Sequence, residues 1–503
     1  MVVKKPVRSL LRWLSAAGMA FLLPACSNHL EYAPRDAGRP WTAPPVPSDW
    51  RSLAIDGISA NATSGTWSAT GALRQGEVYD LPALIDLAQL NNPATRIAWS
   101  QARQAASAVG LAEAAYLPML TANVIGGYVS TRRRLPNVLD RRVRVDASDS
   151  GMAALLSVEW LLFDFGQRAA AQRAARDLSL GANFTFNAVH QQLVYDVTRT
   201  YYEYGAARQR SRIADDSLRN SQSVQAAVAA RAKNGLATSV ETAQARQLVA
   251  QARLKKVAAG GLERNAYQAL LSHLGLPAQS RIQVADSAAT PLPTPQELPQ
   301  DAVLRRALSE RPDIMASIAS LKAAESAVDV AKADFLPKVY LAGFVLGGNN
   351  ELSIGPVSGL SNSGASRGIL LGMTMPLYDG GMRRARMHDA RERMHAAQAT
   401  LEQLRMSAIS EIIVATNLLE TALQSYDAAS TLVDTSALTY DAALDSYREG
   451  MGTITVATEA ANALLQARSE HADAHAGALV AAASLAFALG KLDVAIPAQQ
   501  VSP

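Results

Sequence analysis

The chain has 503 residues, and its 48 Lys and Arg against 44 Asp and Glu give a formal charge of +4. Four of those positives (Lys4, Lys5, Arg8, Arg12) fall in the first 25 residues, which hold no acid, so the remainder is neutral and lacks the basic surface that nucleic acid requires. Hydrophobic residues at 49% exclude a disordered chain, and a single cysteine, Cys26, excludes intramolecular disulfides and cysteine-built zinc sites.

Residues 1–25 read as a signal peptide, with a basic start and an apolar run from Trp13 to Leu23 that is too short to span a bilayer. The run ends Leu23-Pro24-Ala25-Cys26, which resembles a bacterial lipobox with Pro24 as an unusual occupant. That resemblance implies cleavage before Cys26 and covalent lipid, of the palmitate kind, on its sulfur and amino group. Ser27 in place of Asp fits outer-membrane sorting. Residues 26–80 hold Pro34, Pro40, Pro44, Pro45 and Pro47 and read as an extended tether with little core of its own. No later stretch reaches 18 apolar residues, since Ala476–Leu489 stops at 14. A mature body that crosses a membrane must therefore use strands.

An internal repeat sets the architecture. Tyr116-Leu117-Pro118 matches Phe335-Leu336-Pro337 at an offset of 219, while Phe163-Asp164-Phe165-Gly166-Gln167-Arg168 matches Tyr378-Asp379-Gly380-Gly381-Met382-Arg383 at 215. Asn234-Gly235 matches Glu449-Gly450, and Leu274-Gly275 matches Leu489-Gly490, also at 215. Two repeats follow, 81–275 and 299–490, with a linker at 276–298 and a tail at 491–503.

Each repeat reads as a short helix (about 82–116 and 299–335), two strands, a long helix and a second short helix. The strands are expected at 119–131 and 152–163, then at 338–349 and 367–378, where Val, Leu, Ile, Gly, Thr and aromatics replace alanine. The polar stretches 132–151 and 350–366 read as exposed loops. Asp164 and Asp379 stand where caps belong between strand and helix. The long helices, about 166–232 and 381–447, contain no proline. A heptad seam runs through Met387, Met394, Leu401, Ala408, Ala415, Ala422 and Ala429, with a companion line through Ala390, Ala397, Leu404, Leu418 and Leu432. Four strands cannot close a barrel, and lipid tolerates no open sheet edge, so three chains supplying twelve strands is the economical solution.

This doubled plan resembles the TolC family of outer-membrane efflux channels, in its lipoprotein branch, over residues 80–490. The most specific local match is the turn Tyr447-Arg448-Glu449-Gly450-Met451-Gly452-Thr453, with Glu459 beyond it. The first repeat offers Gly235, Thr238 and Glu241 in the same pattern. The resemblance implies a mainly α fold with a membrane β-barrel: a homotrimer whose twelve-stranded barrel continues into a coiled-coil helical tunnel. Tyr447, Gly450, Thr453, Val456 and Glu459 would form its periplasmic gate, with Val456 standing where the family carries an additional acid. It implies a passive exit duct for small toxic compounds or drugs, anchored in the outer membrane and extending into the periplasm. The partners implied are outer-membrane lipid, a periplasmic adaptor protein and an inner-membrane transporter of RND type. Type I protein secretion stays open within the class, and a coiled-coil structural lipoprotein is the reading outside it.

Other clusters have simpler explanations. His471 and His475, with Asp473 between them, lack a third convergent ligand for zinc and read as surface histidines. Met373, Met375, Met382, Met387 and Met394 with His388 and His395 invite a copper site, but the seam and the strand face already account for four of the methionines. Asp434, Asp441 and Asp445 approach the tip along one helix, facing either lumen or solvent. No nucleophile–base pair or phosphate loop is legible, so the sequence reads as a non-enzyme with no cofactor besides the lipid and no metal.

Overall fold

The computed structural model describes residues 34–41, 77–134, 144–294, 301–354 and 357–492. The signal peptide, Cys26 and most of the tether and tail lie outside the described residues. The first repeat runs β1 (Val78–Tyr79), α1 (Leu81–Asn91), α2 (Pro93–Ala114), β2 (Met119–Arg134), β3 (Arg144–Phe163), α3 (Gln167–Lys233), α4 (Ser239–His273) and β4 (Gln283–Val284). The second runs α5 (Asp301–Glu310), α6 (Pro312–Ala333), β5 (Lys338–Ile354), β6 (Val357–Thr374), α7 (Met382–Arg448) and α8 (Ile454–Ala488). Two compact units form, one from residues 103–179 and 320–397 and the other from 34–102, 180–319 and 398–492.

In the first unit β2, β3, β5 and β6 form one antiparallel sheet in that order, leaving β2 and β6 as edges. The ladders outrun the expected strands. Gly127 pairs with Gly151 and Arg134 with Arg144, so most of 132–151 is hairpin rather than loop, and β5 and β6 likewise extend to Ile354 and from Val357. Backbone pairing needs no apolar side chains, so a hairpin continues past the segment whose composition betrays it. At the other end β6 stops at Thr374 instead of Tyr378, because Pro376 has no N–H for the ladder.

The register sorts side chains onto two faces. One carries Leu120, Ala122, Val124, Ala154, Leu156, Val158, Trp160, Leu341, Val345, Ile369, Leu371 and Met373, interrupted by Arg367 on the edge strand. The other carries Thr121, Asn123, Ser157, Glu159 and Ser366 among Tyr340, Phe344, Leu155, Leu346 and Leu370. There the rings of Tyr340 and Phe344 lie over Gly372 and Gly368, where added Cβ atoms would collide with them.

Where β3 meets α3, the Asp164 carboxylate accepts from the Gly166 and Arg168 N–H groups, and Asp379 does the same for Gly381 and Arg383 before α7. Arg168 returns a 2.8 Å bond to Asp164 and lies over Tyr116; Arg383 bonds Asp379 at 2.7 Å and lies over Phe335. Both junctions place two successive residues in the left-handed region: Phe165 and Gly166 in one, Gly380 and Gly381 in the other.

In the second unit, each first helix expected from the sequence is broken in two. Asn92-Pro93 separates α1 from α2 and Arg311-Pro312 separates α5 from α6, since proline starts a helix well but cannot lie inside one. The following short helices end on these breaks. Asn92 Nδ2 donates to His273 O at 2.8 Å, and Arg311 Nη1 donates to Ala488 O at 3.2 Å. Buried Arg311 is also gripped by Asp313 at 2.7 Å and Glu411 at 2.8 Å.

The heptad line on α7 is buried or half-buried from Met387 through Ala429. Its companion changes register at Glu411. Leu418 and Leu432 are exposed, and Ile412, Leu419, Tyr440 and Tyr447 are buried instead. A straight helix drifts about 20° per heptad, so a seam of this length moves from the i+3 line to the i+4 line to stay on its partner. Among the described residues α7 is the one helix whose length and composition would suffice for a membrane span.

Part of the tether is docked. Trp41 exchanges N–H and C=O bonds with the Asn187 amide at 2.8 and 2.9 Å, its ring meets Phe184 edge-on, and Trp99 Nε1 donates to Pro34 O at 2.8 Å. The tether's last strand, β1, pairs in parallel with β4 of the linker.

Candidate gate at the helix–turn tips

The second unit holds the two turns that join long helix to short helix, and both are built from the same parts. After α3, Gly235 N–H donates to Ala232 O and Leu236 N–H to Arg231 O; after α7, Gly450 N–H donates to Tyr447 O and Met451 N–H to Ser446 O. These bond pairs close the helix ends around a left-handed glycine, with φ of 70° at Gly235 and 84° at Gly450. A side chain at either position would be strained, which is why both tips carry Gly.

Thr238 and Thr453 then cap α4 and α8. In the first tip the cap is reciprocal: Glu241 N–H donates to Thr238 Oγ1 at 3.1 Å, and the Glu241 carboxylate accepts from Thr238 N–H at 2.6 Å. That bond holds Glu241 below the usual carboxylate range, helped by the Thr238 hydroxyl and the nearby Arg231 charge. In the second tip the corresponding position is Val456. It can return nothing, and its own N–H lies 3.4 Å from Thr453 Oγ1. The acid absent from the second tip is therefore also half of an absent capping box.

A core of Val224, Val228, Leu248, Tyr440, Leu444, Tyr447, Ile454 and Leu464 joins the tips. Tyr447 is fully buried in its own chain, so it does not line a passage as the sequence suggested; it anchors the second turn. Burial pushes its phenol up, and among the described residues its hydroxyl has no hydrogen-bond partner. Arg231 covers the ring, with its guanidinium carbon 5.0 Å from the centroid. Its Nη1 donates to Tyr447 O at 2.9 Å and its Nη2 to Leu236 O at 3.4 Å, so one side chain ties both turns together. Arg231 carried no sequence signal, because its repeat equivalent is Ser446.

Val456 is 52% exposed and Glu459, one turn further along α8, is exposed as well. Asp434, Asp441 and Asp445 are exposed on α7, with Asp445 bonded to Arg448 at 3.2 Å. These residues are free to face a lumen or a neighbour. His471 and His475 are half-buried rather than on the surface, their rings tilted against Tyr426, and His475 Nε2 lies 3.0 Å from Thr290 O. Among the described residues no three His, Cys, Asp or Glu converge as metal ligands.

A doubled helical hairpin carrying an antiparallel sheet with one apolar face defines a subunit of an outer-membrane channel. The sequence profile of the outer membrane efflux protein family matches residues 84–276 and 303–491, and the chain belongs to that family. It is an outer-membrane efflux channel. Protein CyaE of Bordetella pertussis is 32% identical over 440 residues, covering 87% of this chain and 89% of its own. The pyoverdine export outer membrane protein OpmQ of Pseudomonas aeruginosa is 28% identical over 496 residues, covering 95% and 96%. A solved structure of CusC superposes with a TM-score of 0.67 at 23% identity, over 85% of this chain and 99% of that one.

Proposed function

We propose that three copies of this chain close a twelve-stranded barrel in the outer membrane. The barrel continues into a helical tunnel that serves as the passive exit of a tripartite pump. The observation that carries this reading is the four-stranded sheet with unpaired edges at β2 and β6, one face of which is an apolar band over residues 120–128, 152–160, 339–347 and 367–373, broken there by Arg367 alone. Lipid accepts that face but not the edges, and a ring of copies pairs them all. Exposed Val414, Leu418 and Leu438 on α7 give further apolar surface for neighbouring copies.

Energy comes from an inner-membrane transporter of RND type through a periplasmic adaptor. The cargo is a class of small compounds, as the pyoverdine export named for OpmQ supports. Cys26 carries the lipid anchor. Glu459, ringed by three-fold symmetry, sets the charge of the gate. The deciding experiment is the mass of the protein in mild detergent together with its conductance in planar bilayers. A trimer that conducts supports the reading. A conducting monomer, or a trimer with no conductance under any voltage, overturns it. Replacing Cys26 by Ser should abolish fatty-acid labelling while leaving trimer in the membrane, since the barrel buries more apolar surface than acyl chains do.

A further inference from the structure

At the start of α3 the basic side chains are matched by acids: Arg173 pairs with Asp329 of α6 at 3.4 Å, and Arg176 with Glu113 of α2 at 3.1 Å. The 215-residue offset carries these positions to His388 and Arg391 of α7, and carries Ala169 to Arg384. On the opposing helices the 219-residue offset turns Glu113 into Lys332, so where the first repeat places an acid for Arg176 the second places a base, itself paired with Asp329 at 2.9 Å. The equivalence is one of structure too, since Arg168 over Tyr116 recurs as Arg383 over Phe335.

A neighbouring copy does not restore the balance. With β6 of one copy beside β2 of the next, α7 meets that copy's α2 as α3 meets α6. The positions equivalent to Asp329 and Asp334 are then Gly110 and Ala115. The other arginines nearby are already engaged: Arg383 with Asp379, Arg393 with Asp389 at 2.9 Å and Arg386 with Asp334 at 4.0 Å; His388 lies 3.8 Å from Glu392. Arg384 and Arg391 have no ion pair among the described residues, and both are exposed. With His388 and His395 they occupy positions i, i+7, i+4 and i+11 of α7, which form one stripe.

The stripe begins ten residues after the last ladder residue of β6, Thr374. Between them Leu377 is 87% and Tyr378 90% exposed, an apolar and aromatic step of the kind that sits at a membrane–water boundary. Arg384 and Arg391 lie about 10 Å apart along the helix axis. Measured from the helix start at Met382, Arg384 lies about 3 Å and Arg391 about 14 Å down the axis, so Arg384 falls within a headgroup layer of roughly 5–8 Å and Arg391 meets it by extending its side chain back toward the helix N-terminus.

We propose that Arg384 and Arg391, flanked by His388 and His395, hold the phosphate groups of anionic phospholipids in the periplasmic leaflet around the barrel. The proposal rests on the barrel reading above. The charge complementarity is that of a basic juxtamembrane patch, where each arginine near an anionic surface strengthens binding about fivefold.

Native mass spectrometry of the detergent-solubilised trimer, titrated with phosphatidylglycerol or phosphatidylcholine, tests it. Wild type should retain phosphatidylglycerol in preference to phosphatidylcholine, and Arg384→Gln/Arg391→Gln should weaken phosphatidylglycerol retention roughly 25-fold with phosphatidylcholine unchanged. The control Arg173→Gln/Arg176→Gln, whose partners are internal, should leave the preference intact. Equal retention by wild type and the stripe variant overturns the proposal. So does full displacement of lipid by millimolar inorganic phosphate, which would mark a site for free anions. Failure of wild type to form a trimer would strike the barrel reading and the lipid site with it, whereas equal retention by a well-formed trimer strikes the lipid site alone.

Discussion

Replacing Arg231 by Met should loosen the second tip while leaving the rest of its core packed. The methionine keeps the aliphatic bulk but loses the 2.9 Å bond to Tyr447 O, the weaker 3.4 Å bond to Leu236 O and the charge over the Tyr447 ring. A charge-assisted hydrogen bond contributes about 1.5–3 kcal/mol and a cation–π contact at a wet site about 0.5–1 kcal/mol. Because Arg231 is only half-buried, the lower ends apply, giving about 2 kcal/mol, or roughly thirtyfold in the opening equilibrium of the turn. Amide exchange at Glu449–Gly452 should accelerate by that factor, and open probability in planar bilayers should rise. Arg231→Lys, which keeps a charge but loses the fork, should fall between. Unchanged exchange at residues 449–452 in Arg231→Met would refute the idea that this side chain ties the two turns.

Three further outcomes follow from the geometry. His190 is 1% exposed, and its Nε2 donates to Ala37 O at 3.2 Å, while Nδ1 has no partner among the described residues; burial pulls its pKa down to about 4. The neutral ring stabilises the docked 34–41 segment fully above pH 6.5. That stabilisation is lost as pH falls from 6.5 toward 4, by about 3 kcal/mol at the lower limit. Exchange at residues 37–41 should rise at pH 4.5, and His190→Leu should flatten the pH dependence. The readout must be local because half-buried Asp86, raised to about 6 mainly by burial and also by Asp80, acts in the opposite direction. Replacing Gly372 by Val should displace the Tyr340 ring and destabilise the trimer by about 1 kcal/mol for the lost cross-strand contact, read as a lower thermal midpoint. Tyr340→Ala in the same chain should abolish the increment. Finally, Val456→Glu should complete the capping box on Thr453, adding about 0.5–1 kcal/mol to the start of α8, and should raise cation preference at low salt. If selectivity does not move while exchange slows, position 456 caps the helix without facing the passage.

The sequence by itself determined the repeat, the strand-to-helix junctions and the glycine-closed turns at the two tips. Each of these depends on residues adjacent along the chain: an Asp beside the N–H groups it caps, or a Gly where φ must be positive. The apolar half of each strand was legible for the same reason, because burial in lipid leaves a compositional mark. The polar continuation of the hairpins was not, since backbone pairing leaves none. Only the tertiary structure decided that Tyr447 is a buried anchor under Arg231, 216 residues away in the chain, and that the α7 seam changes register at Glu411. It also decided that eight residues of the tether lie against α2 and α3, held by Asn187. Such contacts depend on which helix faces arrive at the same place, and many sequences satisfy that condition. The charge mismatch between the repeats belongs to both levels: its residues stand in the sequence, and the ion pairs of the first repeat show what the second one lacks.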